Sequence, residues 1–165
     1  MNYTLEQRFK ALCQINRATF FKWRETFMKM YPERSPMDAV LQYWEIVGHD
    51  TAKAYLRKVE RDKPVSPQIA QMIVDSSLSM GESARVVDND DEVSVIHDVC
   101  PWHDWHVKFD AVEEDQPGCD CWFKTITTDF NRELGTDIEV ETVSSIPAGD
   151  ERCERIFREK DSDRE

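Results

Sequence analysis

A chain of 165 residues, 40% hydrophobic and 10% aromatic, with only five glycines and seven prolines, is long enough for one ordinary core and too apolar for a disordered or low-complexity polymer. Thirty-three acidic against twenty-one basic side chains give a net charge of −12, which disfavours a nucleic-acid backbone or an anionic membrane surface as partner. No run approaches the roughly 18 apolar residues that span a bilayer, and five cysteines without a secretion pattern point to reduced thiols, so a cytoplasmic protein is expected.

The charge is unevenly spread. Residues 1–64 carry twelve Lys or Arg and eight Asp or Glu, whereas Asp88 to Asp115 holds ten acids and one base. This contrast fits either two oppositely charged layers or a plain solvated surface. Asp-Asn-Asp-Asp at 88–91 lacks the glycine and the distal glutamate of an EF-hand loop.

In chain order, Thr4 with Gln7 makes a capping box. Leu5, Phe9, Leu12, Asn16, Thr19, Trp23, Phe27 and Met30 follow at spacings of three and four. They predict one long amphipathic helix with Trp23 on its inner face and Lys22 and Arg24 on a solvated rim. Cys13 reads as a small core residue. Ser35-Pro36 opens a second helix that runs to Gly48, a third runs from Asp50 or Thr51 to Pro64, and Ser66-Pro67 opens a fourth that ends at Gly81.

Beyond Gly81 the period changes. Ala84–Val87 and Val93–Val99 are rich in β-branched residues and predict a hairpin about the acidic turn. Residues 119–134 return to a helical pattern, with Trp122, Ile126, Phe130 and Leu134 on one stripe and Gly135 after the end. Ile138, Val140 and Thr142 alternate with acids, and Pro147–Asp150 turns into Glu151–Phe157, a second hairpin. The charged tail 159–165 is expected to fray. The expected fold class is α+β. A helical N-terminal half of about four helices, residues 1–82, precedes residues 83–158, an antiparallel sheet of two hairpins with an intervening helix, the whole forming one compact unit.

The chemistry concentrates in Val-Ile-His-Asp-Val-Cys-Pro-Trp-His-Asp-Trp-His, residues 95–106, where His97, Cys100, His103 and His106 recur every third residue. Thiolate and imidazole suit zinc, iron or copper, but ligands this close in sequence need distant partners, for which Cys119, Cys121 and Cys153 are available. Cys119 and Cys121 fall on different sides of a helix, so one of them is idle. Three readings stay open: a metal site, buried cysteines packed as small hydrophobes, and an unmetallated catalytic thiol beside His103 and Asp104 or Asp98. Trp102 and Trp105 add flat apolar surface beside these polar groups, the mixture expected of a small-molecule pocket, while Trp122 falls on a core stripe. The sequence has no Gly-rich phosphate loop, no Gly-x-Ser-x-Gly elbow and no His-Glu-x-x-His pair, which excludes NTPase, α/β-hydrolase and zincin readings.

The order Cys100-Pro101-Trp102, Cys121 within a helix, Gly135, then a strand into Ile146-Pro147-Ala148-Gly149-Asp150 and Cys153 resembles the L-2-amino-thiazoline-4-carboxylic acid hydrolase-like family. It is also similar to the related 4-vinyl-reductase-type ligand-binding domains. The resemblance covers roughly residues 93–158. It implies an α+β domain with an antiparallel sheet, helices on one side and a small-molecule pocket. It carries Cys153 over to a site near the C-terminal hairpin, but Ser145 stands where the sensor-type pattern has a second Cys.

The combined expectation is a small-molecule-binding protein with zinc, or less readily iron, held by Cys100, His103, Cys121 and Cys153. As an enzyme it would hydrolyse a cyclic C–N bond, with a metal-bound water attacking the ring carbon and His106 or Asp104 moving the proton. The alternatives are a non-enzymatic ligand sensor or accessory protein, and a purely structural protein with core cysteines. The long first helix could also pair with a copy of itself as a homodimer.

Overall fold

The computed structural model describes residues 2–89 and 92–160, so Asp90 and Asp91 of the expected acidic turn and the tail from Asp161 to Glu165 lie outside the described residues. Five α-helices and four strands follow in the order α1 Leu5–Met30, α2 Pro36–Leu56, α3 Val65–Ser79, β1 Ser83–Asp88, β2 Val93–Val99, α4 Pro101–Lys108, α5 Val112–Leu134, β3 Ile138–Ser144 and β4 Cys153–Glu159. A 3-10 turn, Ile146–Ala148, joins the last two strands. The α+β class with a helical first half is as expected.

Local signals place several boundaries. The Thr4 side chain accepts from the Gln7 amide at 3.2 Å while the Gln7 side chain accepts from the Thr4 amide at 2.9 Å, closing the capping box that starts α1. Pro36 occupies the first turn of α2. Gly135 ends α5 in the left-handed region, at φ 70°, which a residue without a Cβ adopts at no steric cost.

Two departures have long-range causes. Gly48 does not end a helix: α2 runs through it, so the expected second and third helices are one. A Cβ on Gly48 would lie 2.7 Å from Thr125 Cβ, and one on Gly118 would lie 2.7 Å from Trp44 Cδ1. These glycines mark where α2 and α5 approach closely, not where a helix stops. The second departure is the face of α1. Leu5, Leu12, Trp23 and Met30 of the expected inner stripe are 64–84% exposed, and the buried line is Cys13, Arg17, Phe20 and Phe21. The helix docks where Phe20 meets Trp102 edge-on and Trp44 at a tilt and where its arginines find acceptors: Arg17 donates to the Met80 carbonyl at 2.8 Å, and Arg24 pairs with Glu114. Arg24 is therefore an interior ion pair, not a solvated rim.

The sheet is antiparallel throughout, in the order β1-β2-β4-β3, so the two hairpins join through the β2/β4 pair. In that pair Val93 faces Phe157, Val95 faces Arg155 and His97 faces Cys153. Side chains alternate across a strand. Val93, Val95 and His97 therefore share one sheet face with Cys153, Arg155 and Phe157. That face is apolar at one end, where Val93, Val95, Ile138 and Phe157 pack against Ile69 and Ile73 of α3 and Phe123, Ile126 and Phe130 of α5. At the other end it turns polar. A second, smaller apolar cluster joins Phe20 and Phe21 of α1, Val40 of α2, Trp102 of α4 and Ala111. No helix among the described residues is long and apolar enough to cross a membrane.

Candidate functional site

A cavity of about 250 Å³ lies between the two apolar clusters, beside the polar end of the sheet. Trp44, Met80, Cys100 and Trp102 reach it from the smaller cluster and Cys119 and Trp122 from the larger, with Val47 and Pro147 completing the apolar wall. Its volume is near the lower end of ordinary ligand pockets, so it matches one small molecule.

Polar side chains reach this wall from several secondary-structure elements. From β2, His97 places Nε2 2.9 Å from the Ser77 hydroxyl and 3.3 Å from the Glu82 carboxylate. Because a carboxylate only accepts, Nε2 carries a hydrogen. From α4, which Pro101 opens with Cys100 as its N-cap, His103 and His106 both turn toward Asp115 on the first turn of α5. His103 Nδ1 lies 2.9 Å from Asp115 Oδ2 and His106 Nδ1 lies 3.5 Å from Oδ1. His106 Nδ1 also donates to the Trp102 carbonyl at 2.9 Å. From β4, Arg155 donates to Asp120 at 3.3 Å, and its guanidinium carbon sits 4.5 Å from the centre of the Phe123 ring.

Four residues of this wall each carry a buried polar atom with no hydrogen-bond partner among the described residues: His97 Nδ1, His106 Nε2, Ser145 Oγ and Arg155 Nε.

The sequence-predicted site is partly assembled. Cys100, His103, His106, Trp102 and Cys153 all line the cavity. Cys121 does not: it points at α2, where its Sγ lies 3.5 Å from the Leu41 carbonyl. Of the Cys119 and Cys121 pair, the one facing the cavity is Cys119, the reverse of the expected choice. Asp104 is exposed and outside the lining, and Trp105 stacks on Phe21 and Phe109 in the smaller cluster instead of facing the cavity. Among the described residues no group of three or more His, Cys, Asp and Glu side chains is arranged to hold a metal ion. The expected four-ligand zinc site is not formed, because α5 turns Cys121 away from Cys100 and Cys153.

The state of the thiols agrees with that geometry. Burial, reinforced by Glu82, drives the Cys100 thiol far above its ordinary range, and burial pushes Cys119 up to about 12. Nucleophilic attack needs thiolate. At pH 8 iodoacetamide is therefore expected to label Cys119 in the folded protein far more slowly than in urea, read by peptide mass. Equal rates in the two states would contradict the assignment. The same shift has a definite sign for stability. The unfolded thiol ionises near pH 9 and the folded one only near 12, so this group's contribution is present below pH 9 and lost as pH rises toward 12.

Several wall residues escape sequence reasoning. Glu82, Ser77 and Asp115 carry no motif, and Ser145 stands out only as the position where the sensor-type pattern has a cysteine. Arg155 does carry a signal: in Cys153-Glu154-Arg155-Ile156-Phe157 it occupies a core-face position, two residues from each of two apolar ones, where a charge is uncommon unless it is used.

No family model matches the chain, and no curated protein matches it. Solved structures do. Trafficking protein particle complex subunit 3 from Naegleria fowleri, covalently bound to palmitic acid, is similar at a TM-score of 0.56 and 16% identity over 92% of this chain and 99% of that one. The H-NOX domain of Shewanella oneidensis in its Fe(II)CO state gives 0.52 and 10% identity over 85% and 75%. The phenol-responsive sensory domain of the transcription activator PoxR with phenol gives 0.52 and 13% over 87% and 74%. At these identities the likeness is one of fold.

Proposed function

We propose that this chain is a small-molecule-binding module of the sensor or accessory kind, with the cavity between the two apolar clusters as its binding site. The observation that carries this reading is a cavity of about 250 Å³ walled mostly by apolar side chains, with His97, His103, His106 and Arg155 among its few polar ones. The fold neighbours support it: one is covalently bound to palmitic acid, one is in an Fe(II)CO ligation state and one is a phenol-responsive sensory domain with phenol.

The metal-assisted hydrolase suggested by the short motifs of residues 93–158 is the weaker reading. Of its two proposed proton-moving residues Asp104 lies outside the cavity while His106 lines it, Cys121 lies outside it, and the Cys100 and Cys119 thiols are shifted toward their protonated forms. Sensing needs none of these. It needs a ligand to bind the folded state and to shift its population or stability.

The test is a ligand screen by thermal unfolding together with tryptophan fluorescence, since Trp44, Trp102 and Trp122 line the cavity. A ligand present at 100 times its Kd adds about 2.7 kcal/mol to the folded state. Compounds that raise the melting temperature should change the emission, remain chemically intact, and lose their effect in Val47→Trp, which fills the cavity. Stabilisation that survives Val47→Trp would place binding elsewhere, and consumption of the compound would restore the enzyme reading.

A further inference from the structure

The outer side of α1 is left uncovered to an extent that no other element matches. Leu5, Phe9, Leu12, Ile15, Trp23 and Met30 are all exposed, whereas no other element among the described residues exposes more than two large apolar side chains. Leu5 and Leu12 are one heptad apart, and so are Trp23 and Met30, which keeps them along one side of the helix. At 60–84% exposure for Leu5, Leu12, Ile15, Trp23 and Met30, this ridge presents roughly 700 Å² of accessible surface, against about 300–600 Å² for the largest apolar patch of an ordinary monomer and about 800 Å² buried by each partner of a standard interface. The ridge has the size that a specific interface needs.

The two ends of the helix differ in their support. Residues 2–12 are exposed without exception, so the first two turns of α1 stand clear of the body over about 12 Å of helix. A free helical end is marginal in water, and this one carries Leu5, Phe9 and Leu12. The rest of the helix is fixed: Phe20 packs on Trp44 and Trp102, Arg17 donates to the Met80 carbonyl, and Arg24 pairs with Glu114. Trp23 and Met30 are therefore held out on a docked helix.

We infer that α1 is the interface with a second copy of this chain, the two helices packing antiparallel about a two-fold axis near their midpoints. A two-fold contact has to be self-complementary, and the ridge is. Leu5 and Met30 lie equally far from the point between Arg17 and Ala18, and so do Leu12 and Trp23. Antiparallel pairing thus sets Leu5 and Leu12 on the projecting turns of one copy against Met30 and Trp23 on the docked part of the other, and both copies gain the same support at once. A lipid surface is disfavoured as the occupant. Lys10 is paired with Glu6, and Lys22 and Lys29 are paired with Glu25, which leaves these side chains little net positive charge for anionic headgroups on a chain that carries −12 overall.

Sedimentation equilibrium of the full chain from low to high micromolar concentration tests the inference, and it should give the mass of two chains. Leu12→Glu and Trp23→Glu should each weaken association about tenfold or more while leaving the circular dichroism spectrum unchanged, since both side chains are exposed in the single chain. The double variant Leu12→Glu/Trp23→Lys should associate more tightly than Leu12→Glu alone, because the antiparallel arrangement sets each new acid opposite a new base. Double-variant association weaker than that of both single variants would overturn the antiparallel arrangement. A chain that stays monomeric at high micromolar concentration, or a dimer that Leu12→Glu leaves intact, would overturn the inference as a whole. So would a monomeric chain that sediments with vesicles of phosphatidylcholine and phosphatidylserine, which would give the ridge to lipid instead. The mass of the unaltered chain decides the first of these points even where a variant does not fold.

Discussion

Replacing Glu114 by Ala will destabilise the protein by about 3–5 kcal/mol, the usual consequence of removing one partner from a buried ion pair. The Glu114 side chain is 1% exposed and that of Arg24 is 16% exposed. The contact is bidentate: Arg24 Nε lies 2.6 Å from Glu114 Oε2 and a second guanidinium nitrogen reaches Oε1. It joins α1 to the first turn of α5, residues that are ninety apart in the chain. Without the carboxylate, Arg24 must either keep a full charge in a poorly solvated place or swing out and surrender the docking of α1. Since a domain of this kind has roughly 5–15 kcal/mol in total, a substantial part of its stability is at stake. Urea unfolding of Glu114→Ala, Arg24→Ala and the double variant measures the effect, and the double variant should cost clearly less than the two single losses together. A loss below about 1 kcal/mol for Glu114→Ala would mean that the pair acts as an exposed one.

The second large effect is expected at Phe123. This side chain is 2% exposed at the middle of α5, and its ring meets four groups at once: Trp122 edge-on at 5.1 Å, Phe157 at 6.1 Å, His97 at 6.4 Å and the Arg155 guanidinium at 4.5 Å. Phe123→Ala should cost about 3–5 kcal/mol through lost burial and the hole left behind. Phe123→Leu, which keeps most of the volume, should cost much less. The contrast carries information about the site as well as the core, because Arg155 faces the ring and reaches the cavity from it. In Phe123→Leu the fold should persist while small-molecule binding in the cavity that Arg155 lines weakens. If Phe123→Ala and Phe123→Leu unfold at the same urea concentration, the ring is not a packed element of the core.

The exposure of α1 bears on partners. Leu5, Leu12, Ile15, Trp23 and Met30 leave an apolar ridge on its outer side, so the face expected to turn inward is the exposed one. The reason is energetic. Phe20, Phe21, Arg17 and Arg24 find partners in the interior, and a helix has one set of faces to offer.

The sequence by itself determined those features that depend on a few neighbouring residues. The start of α1 follows from Thr4 and Gln7, the start of α2 from Pro36, the end of α5 from Gly135 and the bounds of β2 from its run of β-branched residues. Each of these is decided by backbone geometry and hydrogen bonding within about one turn. The concentration of chemistry in residues 95–106 was legible in the same way, and His97, Cys100, Trp102, His103 and His106 all reach the cavity. Only the tertiary structure decided which side of α1 is buried, that Gly48 is a contact and not a stop, that Cys119 and not Cys121 faces inward, and that Arg155, Glu82 and Asp115 complete the wall. Those choices compare alternatives of nearly equal local energy, and they are settled by which partner lies opposite after the chain has brought α2 against α5 and β4 between β2 and β3.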